Sequence, residues 1–199
     1  MHNLASRSVG FRTRLAGVVR RFRADVRGVT AVEFGLVAAP FFLVVMGLVT
    51  VGTQYMSMHF LEHGVEVASR KLRTGEAQKA GLTVSDFRGL FCDAAGFIIP
   101  CDEHLVIHIK SSDTFAGLSP ITSCVTDGSL TPAEGNGGDA VRSHAGDASA
   151  AVMVSACYQW DMGLGLWQTI WNIILPVPTV EGSPVLSAVT AFRSEPFED

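Results

Sequence analysis

Gly28-Val29-Thr30-Ala31-Val32-Glu33-Phe34 opens the stretch on which the reading of this chain turns. From Phe34 to Leu61 there follow 28 residues without Asp, Glu, Lys or Arg. The first part, Phe34 to Val51, is almost wholly apolar, with Phe41, Phe42, Leu43, Val44 and Val45 in succession. A helix rises about 1.5 Å per residue, so roughly 20 apolar residues cross the hydrocarbon core of a bilayer. The run therefore predicts a membrane-spanning helix. Glu33 stands at its leading edge. A carboxylate inside the bilayer costs about 2.5 to 3.5 kcal/mol on insertion scales, which makes an acid here a functional candidate. At the entrance it reaches headgroup water, and the cost falls. A purely structural role is open to the same residues, because Thr30-x-x-Glu33 fits a capping box.

Charge orients the span. The first 28 residues hold Arg7, Arg12, Arg14, Arg20, Arg21, Arg23 and Arg27 against Asp25, a balance of +6, whereas the remainder carries −10 of the net −4. By the positive-inside rule the N-terminus is cytoplasmic and the C-terminal domain lies across the membrane. An Arg run also suits nucleic acid, but with a span directly following, orientation is the better account and no nucleic-acid partner is expected. Arg12, Arg20 and Arg23 interleave with Phe11, Leu15, Val18, Val19 and Phe22, a pattern suited to an anionic leaflet. A cleavable secretory signal fits less well: the leader is long, the apolar run exceeds the usual length, and no small-x-small site follows cleanly. The expected organisation is a basic cytoplasmic leader (1–28), a transmembrane helix (29–54) and an extracytoplasmic α+β domain (55–199).

Basic leader, Gly28, Glu33 at the fifth position after it, then an apolar helix: this resembles the processing site of type IV pilin-like precursors. The wording Arg27-Gly28-Val29-Thr30-Ala31-Val32-Glu33-Phe34, with Pro40 inside the helix, resembles the TadE-like family of minor pseudopilins from the tight-adherence (Flp) pilus assembly machinery of bacteria. Later pieces look similar too: Arg73-Thr74-Gly75-Glu76-Ala77-Gln78, Asp86-Phe87, Tyr158-Gln159-Trp160 and Phe192-Arg193-Ser194-Glu195-Pro196-Phe197. Only 114–147 matches nothing familiar. The resemblance implies a pilin-like α+β fold, with a long N-terminal helix packed on a small antiparallel sheet. It also implies a bacterial inner-membrane protein with a periplasmic domain, cut after Gly28 by a prepilin peptidase. Val29 would become the new N-terminus and Glu33 the register-setting acid beside Phe34. Implied partners are membrane lipid, the prepilin peptidase, other pseudopilins and the Tad secretion-platform proteins.

One continuous helix is expected from about Thr30 to Arg73. Phe60, Gly64, Val67, Ala68 and Leu72 recur at helical spacing, Glu66 and Arg70 form an i,i+4 pair, and Thr74-Gly75 ends it. Pro40 should kink it. A short helix follows around 82–91, capped by Thr83 or Ser85, with Phe87, Leu90, Phe91 and Ala94 on one face. Strands are expected at His104–Lys110, with Leu105, Ile107 and Ile109 inward, at Ala150–Trp160, with Val152, Val154, Ala156, Tyr158 and Trp160 on one face, and at Val185–Arg193. The Gly-, Ser- and Asp-rich stretch 111–149 reads as a long surface loop. Leu164, Leu166, Trp167, Ile170, Trp171, Ile173, Ile174 and Leu175 read as a helix in the membrane interface, with a packed core helix as the alternative.

Cys92, Cys101, Cys124 and Cys157 all follow the span, and an even count in an oxidising compartment suggests disulfides. Three pairings are possible, and sequence does not choose among them. Cys92 with Cys101, closing a short loop around Gly96 and Pro100, is the first expectation, and Cys124 with Cys157 would follow. Catalytic patterns were weighed and set aside. His59-x-x-Glu62-His63 has zinc-peptidase spacing, but no third ligand is evident and the motif sits close to the span. His104 and His108 share a strand face roughly 13 Å apart, too far for one ion. Gly135-Asn136-Gly137-Gly138 lacks the Lys-Ser/Thr of a phosphate loop. No enzyme activity, cofactor, metal or small-molecule substrate is expected, and an uncleaved membrane scaffold is the competing function.

Overall fold

The computed structural model describes residues 28–101, 104–119, 123–161 and 179–197. The basic leader up to residue 27 and the apolar stretch 164–175, expected as an interfacial helix, lie outside the described residues. The chain divides into two units, Met1–Val51 and Gly52–Asp199.

In the first unit the described residues belong to helix α1 (Val29–Arg73), which continues into the second unit and runs for 45 residues with Pro40 inside it. Phe34, Leu36 and Val37 are each 71% exposed, and Phe41, Phe42 and Val44 are comparably open. A helix that is apolar all round yet unburied by protein is a membrane span rather than a core helix. Only 6% of its apolar window is buried within the protein.

In the second unit α1 becomes amphipathic. Leu61, Val65, Ala68 and Leu72 are buried, at the i, i+4, i+7, i+11 spacing that aligns one face of a helix, while Glu62, Glu66 and Arg70 are exposed. The helix stops where Gly75 takes a left-handed φ of 72° and its N–H bonds the carbonyl of Leu72. A short helix, α2 (Glu76–Lys79), follows, and then α3 (Val84–Ala95). The expected cap is present at Thr83. Its hydroxyl accepts from the Asp86 amide at 3.2 Å, and the Asp86 carboxylate accepts from the Thr83 amide at 3.0 Å. The Thr83 hydroxyl also donates to the Asp86 carboxylate at 2.7 Å, and this bond, with that from the Thr83 amide, holds the carboxyl below its ordinary pKa. The buried face of α3 runs Phe87, Phe91, Ala95 rather than through Ala94, since i, i+4, i+8 keeps one side of the helix inward.

The sheet has the order β1-β4-β6-β5 and is antiparallel throughout. Its strands are β1 (Leu105–Ser112), β4 (Ala151–Gln159), β5 (Thr179–Val180) and β6 (Ser183–Arg193). A separate hairpin pairs β2 (Val125–Thr126) with β3 (Ser129–Leu130). One sheet face, with Ile107, Ile109, Val154, Ala156 and Leu186, forms the core together with Leu61, Val65, Phe87 and Phe91. This is an α+β arrangement, a long N-terminal helix packed on a small antiparallel sheet.

Two expectations are corrected. Strand β4 does not bury a single face: Met153, Ser155 and Cys157 on its other side are buried as well, and the bridge from Cys157 to Cys124 holds another segment of chain against that face. Nor is 111–149 a plain surface loop. It completes β1, forms the β2–β3 hairpin and contains a short helix, α4 (Val141–Ala145), whose Val141 and Ala145 are fully buried. The glycine turn within it has a structural job, since the Gly137 and Asp139 carbonyls accept from the Ser85 and Val84 amides at 2.8 and 2.9 Å. Those are first-turn amides of α3 that a helix leaves without intrahelical partners.

Candidate assembly site

The first turns of α1 carry the residues singled out from sequence. Gly28 precedes the helix, and a Cβ built on it would meet nothing within 4 Å. Val29 is the first helical residue, and Glu33 follows one turn later on the same side, both exposed. Phe34 projects beside them. Thr30 lies inside the helix at its second position, not at the cap position. A capping box needs its Ser/Thr just outside the helix, so Thr30 and Glu33 do not form one. The competing structural role for Glu33 thus has no geometry behind it. The helix leaves the carboxylate exposed, free to meet a group from outside this chain.

The zinc-peptidase spacing comes to a different end. His59 Nδ1 lies 3.6 Å from Glu62 Oε2, and both side chains are more than half exposed. His63 is exposed as well, and among the described residues no group of three or more His, Cys, Asp or Glu is placed to hold a metal ion. His104 and His108 do not act together either. His104 is half-buried, whereas His108 is 4% exposed on the second face of β1. Burial, with Lys110 nearby, pushes its pKa down. Lys110 Nζ is paired with Glu134 at 2.9 Å, which holds the Glu134 carboxyl below its ordinary range.

Cystine bonds join Cys92 to Cys101 and Cys124 to Cys157. The first staples the end of α3 to the chain that leads into β1. The second ties the segment bearing the β2–β3 hairpin to the buried second face of β4. A sequence signal for that hairpin was present and passed over: Asp127-Gly128 takes φ of 53° and 77°, as a two-residue type I′ turn demands, between Val125-Thr126 and Ser129-Leu130.

Together these features define a class: an N-terminal apolar helix suited to anchor the chain by a single pass, continuous with the spine of a disulfide-bonded α+β unit. Within that class, residues 28–70 match the family model described as TadE-like protein, and over that stretch the chain is similar to that family. The match begins at Gly28 and ends within the amphipathic part of α1. The resemblances noted from Arg73 onward lie beyond it. No curated protein and no solved structure matches the chain. A TadE-like segment on a long apolar helix fits a membrane protein associated with the Tad pilus, and the family is not a known family of enzymes.

Proposed function

We propose that this protein is a minor pseudopilin of the Tad (Flp) pilus assembly system, made as a precursor and cut after Gly28 by a prepilin peptidase. The supporting observation is the junction itself: an exposed Gly28 on which a Cβ would meet nothing within 4 Å, followed at once by a helix whose first residue is Val29. Glycine in extended or turn conformation is small enough to pass into a peptidase site, and the helix beyond is out of reach. Cleavage leaves the α-amino group of Val29, which is cationic near neutral pH. In the low-dielectric bilayer this amine would pair with Glu33 of a neighbouring subunit, where charge pairing is far stronger than in water. That pairing sets the register of one helix against the next. In this reading the leader is cytoplasmic, the span lies in the inner membrane and the disulfide-bonded unit is periplasmic, which the charge asymmetry and the two cystines support. Other pseudopilins and the secretion platform are its partners there.

The test is the N-terminal sequence and intact mass of the membrane-extracted protein, from cells with and without the peptidase. Loss of residues 1–28, dependent on the peptidase and blocked by Gly28→Leu, is the expected result. An uncut chain in both strains would refute processing and leave a permanent membrane scaffold.

A further inference from the structure

Strand β6 is eleven residues long, and its partner β5 covers only its first two. The reason is chemical. Glu181 and Gly182 take φ of 50° and 84°, a two-residue type I′ turn that brings Val180 opposite Ser183. Pairing then alternates residue by residue, so the residue that would next donate an N–H to β6 is position 178. That residue is proline, as is position 176. Proline has no N–H to give, and a ladder continued backward from Thr179 fails at its first step.

The same alternation says which groups of β6 are left over. Pro184 and Ser194 bond toward β4 and its flanks, through Trp160 N–H to the Pro184 carbonyl and Ser194 N–H to the Ala150 carbonyl. Even-numbered positions therefore face β4, and the N–H and C=O groups of Ser187, Val189 and Ala191 point to the other edge. Among the described residues these backbone groups have no partner. Beside them runs a groove of about 640 Å³, walled by Ala188–Phe192 on one side and by Glu62, Glu66, Arg70 and Arg73 of α1 on the other. The charges are sorted along it. Glu62 and Glu66 precede Arg70 and Arg73 on the helix, and the Arg73 end is fixed to the far end of β6, where the Glu195 amide donates to the Arg73 carbonyl at 2.7 Å. The Glu195 carboxylate also lines the groove there, 3.9 Å from Arg73, so that end keeps a smaller net positive charge, carried by Arg70, against the two carboxylates of Glu62 and Glu66 at the other.

We infer that this edge is a docking site for an extended segment of a partner protein, which adds a strand to β6. It runs antiparallel, as every other pair in the sheet does, so its N-terminal end lies by Arg70 and Arg73 and its C-terminal end by Glu62 and Glu66. The partner segment is therefore acidic at its start and basic at its end, with unbranched access for backbone hydrogen bonds between. Strand addition of this kind takes affinity from the main chain and specificity from the flanking side chains. The site belongs to the second unit and does not depend on processing at Gly28.

The experiment uses the full chain in detergent micelles and a fluorescent nine-residue probe peptide, alternating valine and threonine with two aspartates first and two lysines last. Anisotropy should report saturable binding, weaker by about tenfold for the charge-reversed peptide, a difference of about 1.4 kcal/mol. Val189→Pro removes an N–H that faces away from β4 and fixes φ, a change that strands tolerate at an outward-facing edge position, so it should weaken binding at least tenfold while the circular dichroism stays close to wild type. Arg70→Glu, an exposed change on the helix, should weaken the acidic-first peptide and strengthen the reversed one. Equal binding by wild type and a folded Val189→Pro variant would overturn the edge, and equal binding of both peptides would overturn the polarity. No binding at about millimolar peptide would overturn the site altogether, leaving the edge to residues 162–178 or to a second copy, the latter visible as a dimer by light scattering.

Discussion

Gly64 sits in the middle of α1, where glycine costs about 1 kcal/mol relative to alanine. Propensity alone says that Gly64→Ala stabilises. The structure says the reverse. A Cβ on Gly64 would lie 2.8, 3.0 and 3.1 Å from Cε2, Cζ and Cδ2 of Phe91, against about 3.5–4.0 Å for carbon atoms at optimal separation. Phe91 is fully buried at the centre of the α1–α3 contact, so its ring has no solvent to swing into. Overpacking a core of this kind costs about 1–3 kcal/mol. Set against the propensity gain, the net loss is about 1 kcal/mol, which lowers the unfolding midpoint of a unit this size by about 2–4 °C. Phe91→Leu alone should also destabilise, by about 1–1.5 kcal/mol. In the double variant the new methyl occupies space the ring edge vacates, so the costs should fall short of additive by about 1 kcal/mol. The assay is thermal and urea unfolding of the full chain in micelles, followed by circular dichroism, for wild type, both single variants and the double. A Gly64→Ala protein as stable as wild type, or strictly additive costs, would show that close approach to Phe91 is not why this position is glycine.

Replacing both Cys124 and Cys157 by alanine should cost about 3–4 kcal/mol, the amount expected for a bridge closing a loop of this length. Limited proteolysis should then cut first within 113–134, the segment the bridge holds to β4; cutting elsewhere first would refute that role. His108 has a pKa below its ordinary 6.5 because it is buried beside Lys110. The unfolded chain therefore binds the proton more readily, so His108 favours folding above about pH 6.5 and that stability is lost as pH falls below it. Facing groups are Lys110 and Glu134, paired at 2.9 Å with the Glu134 carboxyl held below its ordinary range, and Thr131, whose backbone bonds the ring. Urea midpoints should decline from pH 7.5 to 5.5 in wild type and decline less in His108→Asn; parallel profiles would assign the dependence to other groups.

What could be read before the structure follows from range. Helix α1 was visible because its signals are local: an uncharged run, then Phe60, Gly64, Val67, Ala68 and Leu72 at helical spacing, then Thr74-Gly75, although the buried face runs through Leu61 and Val65 and leaves Val67 exposed. Thr83 or Ser85 ahead of Phe87, Leu90 and Phe91 announced α3 in the same way, and the structure chose Thr83, which closes a box with Asp86 three residues on. Helix α4 escaped because five residues are too few to show a period, and its polar, glycine-rich surroundings hid the buried Val141 and Ala145. For strand β4 only the face with Val152, Val154 and Ala156 was legible, since burial of Ser155 and Cys157 depends on a distant segment held to that face by the Cys124–Cys157 bridge.

The candidate site divides along the same line. Gly28, Val29 and Glu33 were legible because a junction between a basic leader and an apolar helix is a property of consecutive residues. The structure added that Thr30 is inside the helix, which removes the capping role for Glu33. Sequence by itself determined the membrane helix, its charge asymmetry, its amphipathic continuation and the places where strands would run, since each depends on spacing within a few residues. Only the tertiary structure decided which strand is central, which cysteines meet, that His108 is buried and that, among the described residues, β6 keeps an open edge beside the charges of α1. Those depend on neighbours far apart in the chain, whose meeting is settled by packing and by the backbone hydrogen bonds that β5 cannot extend.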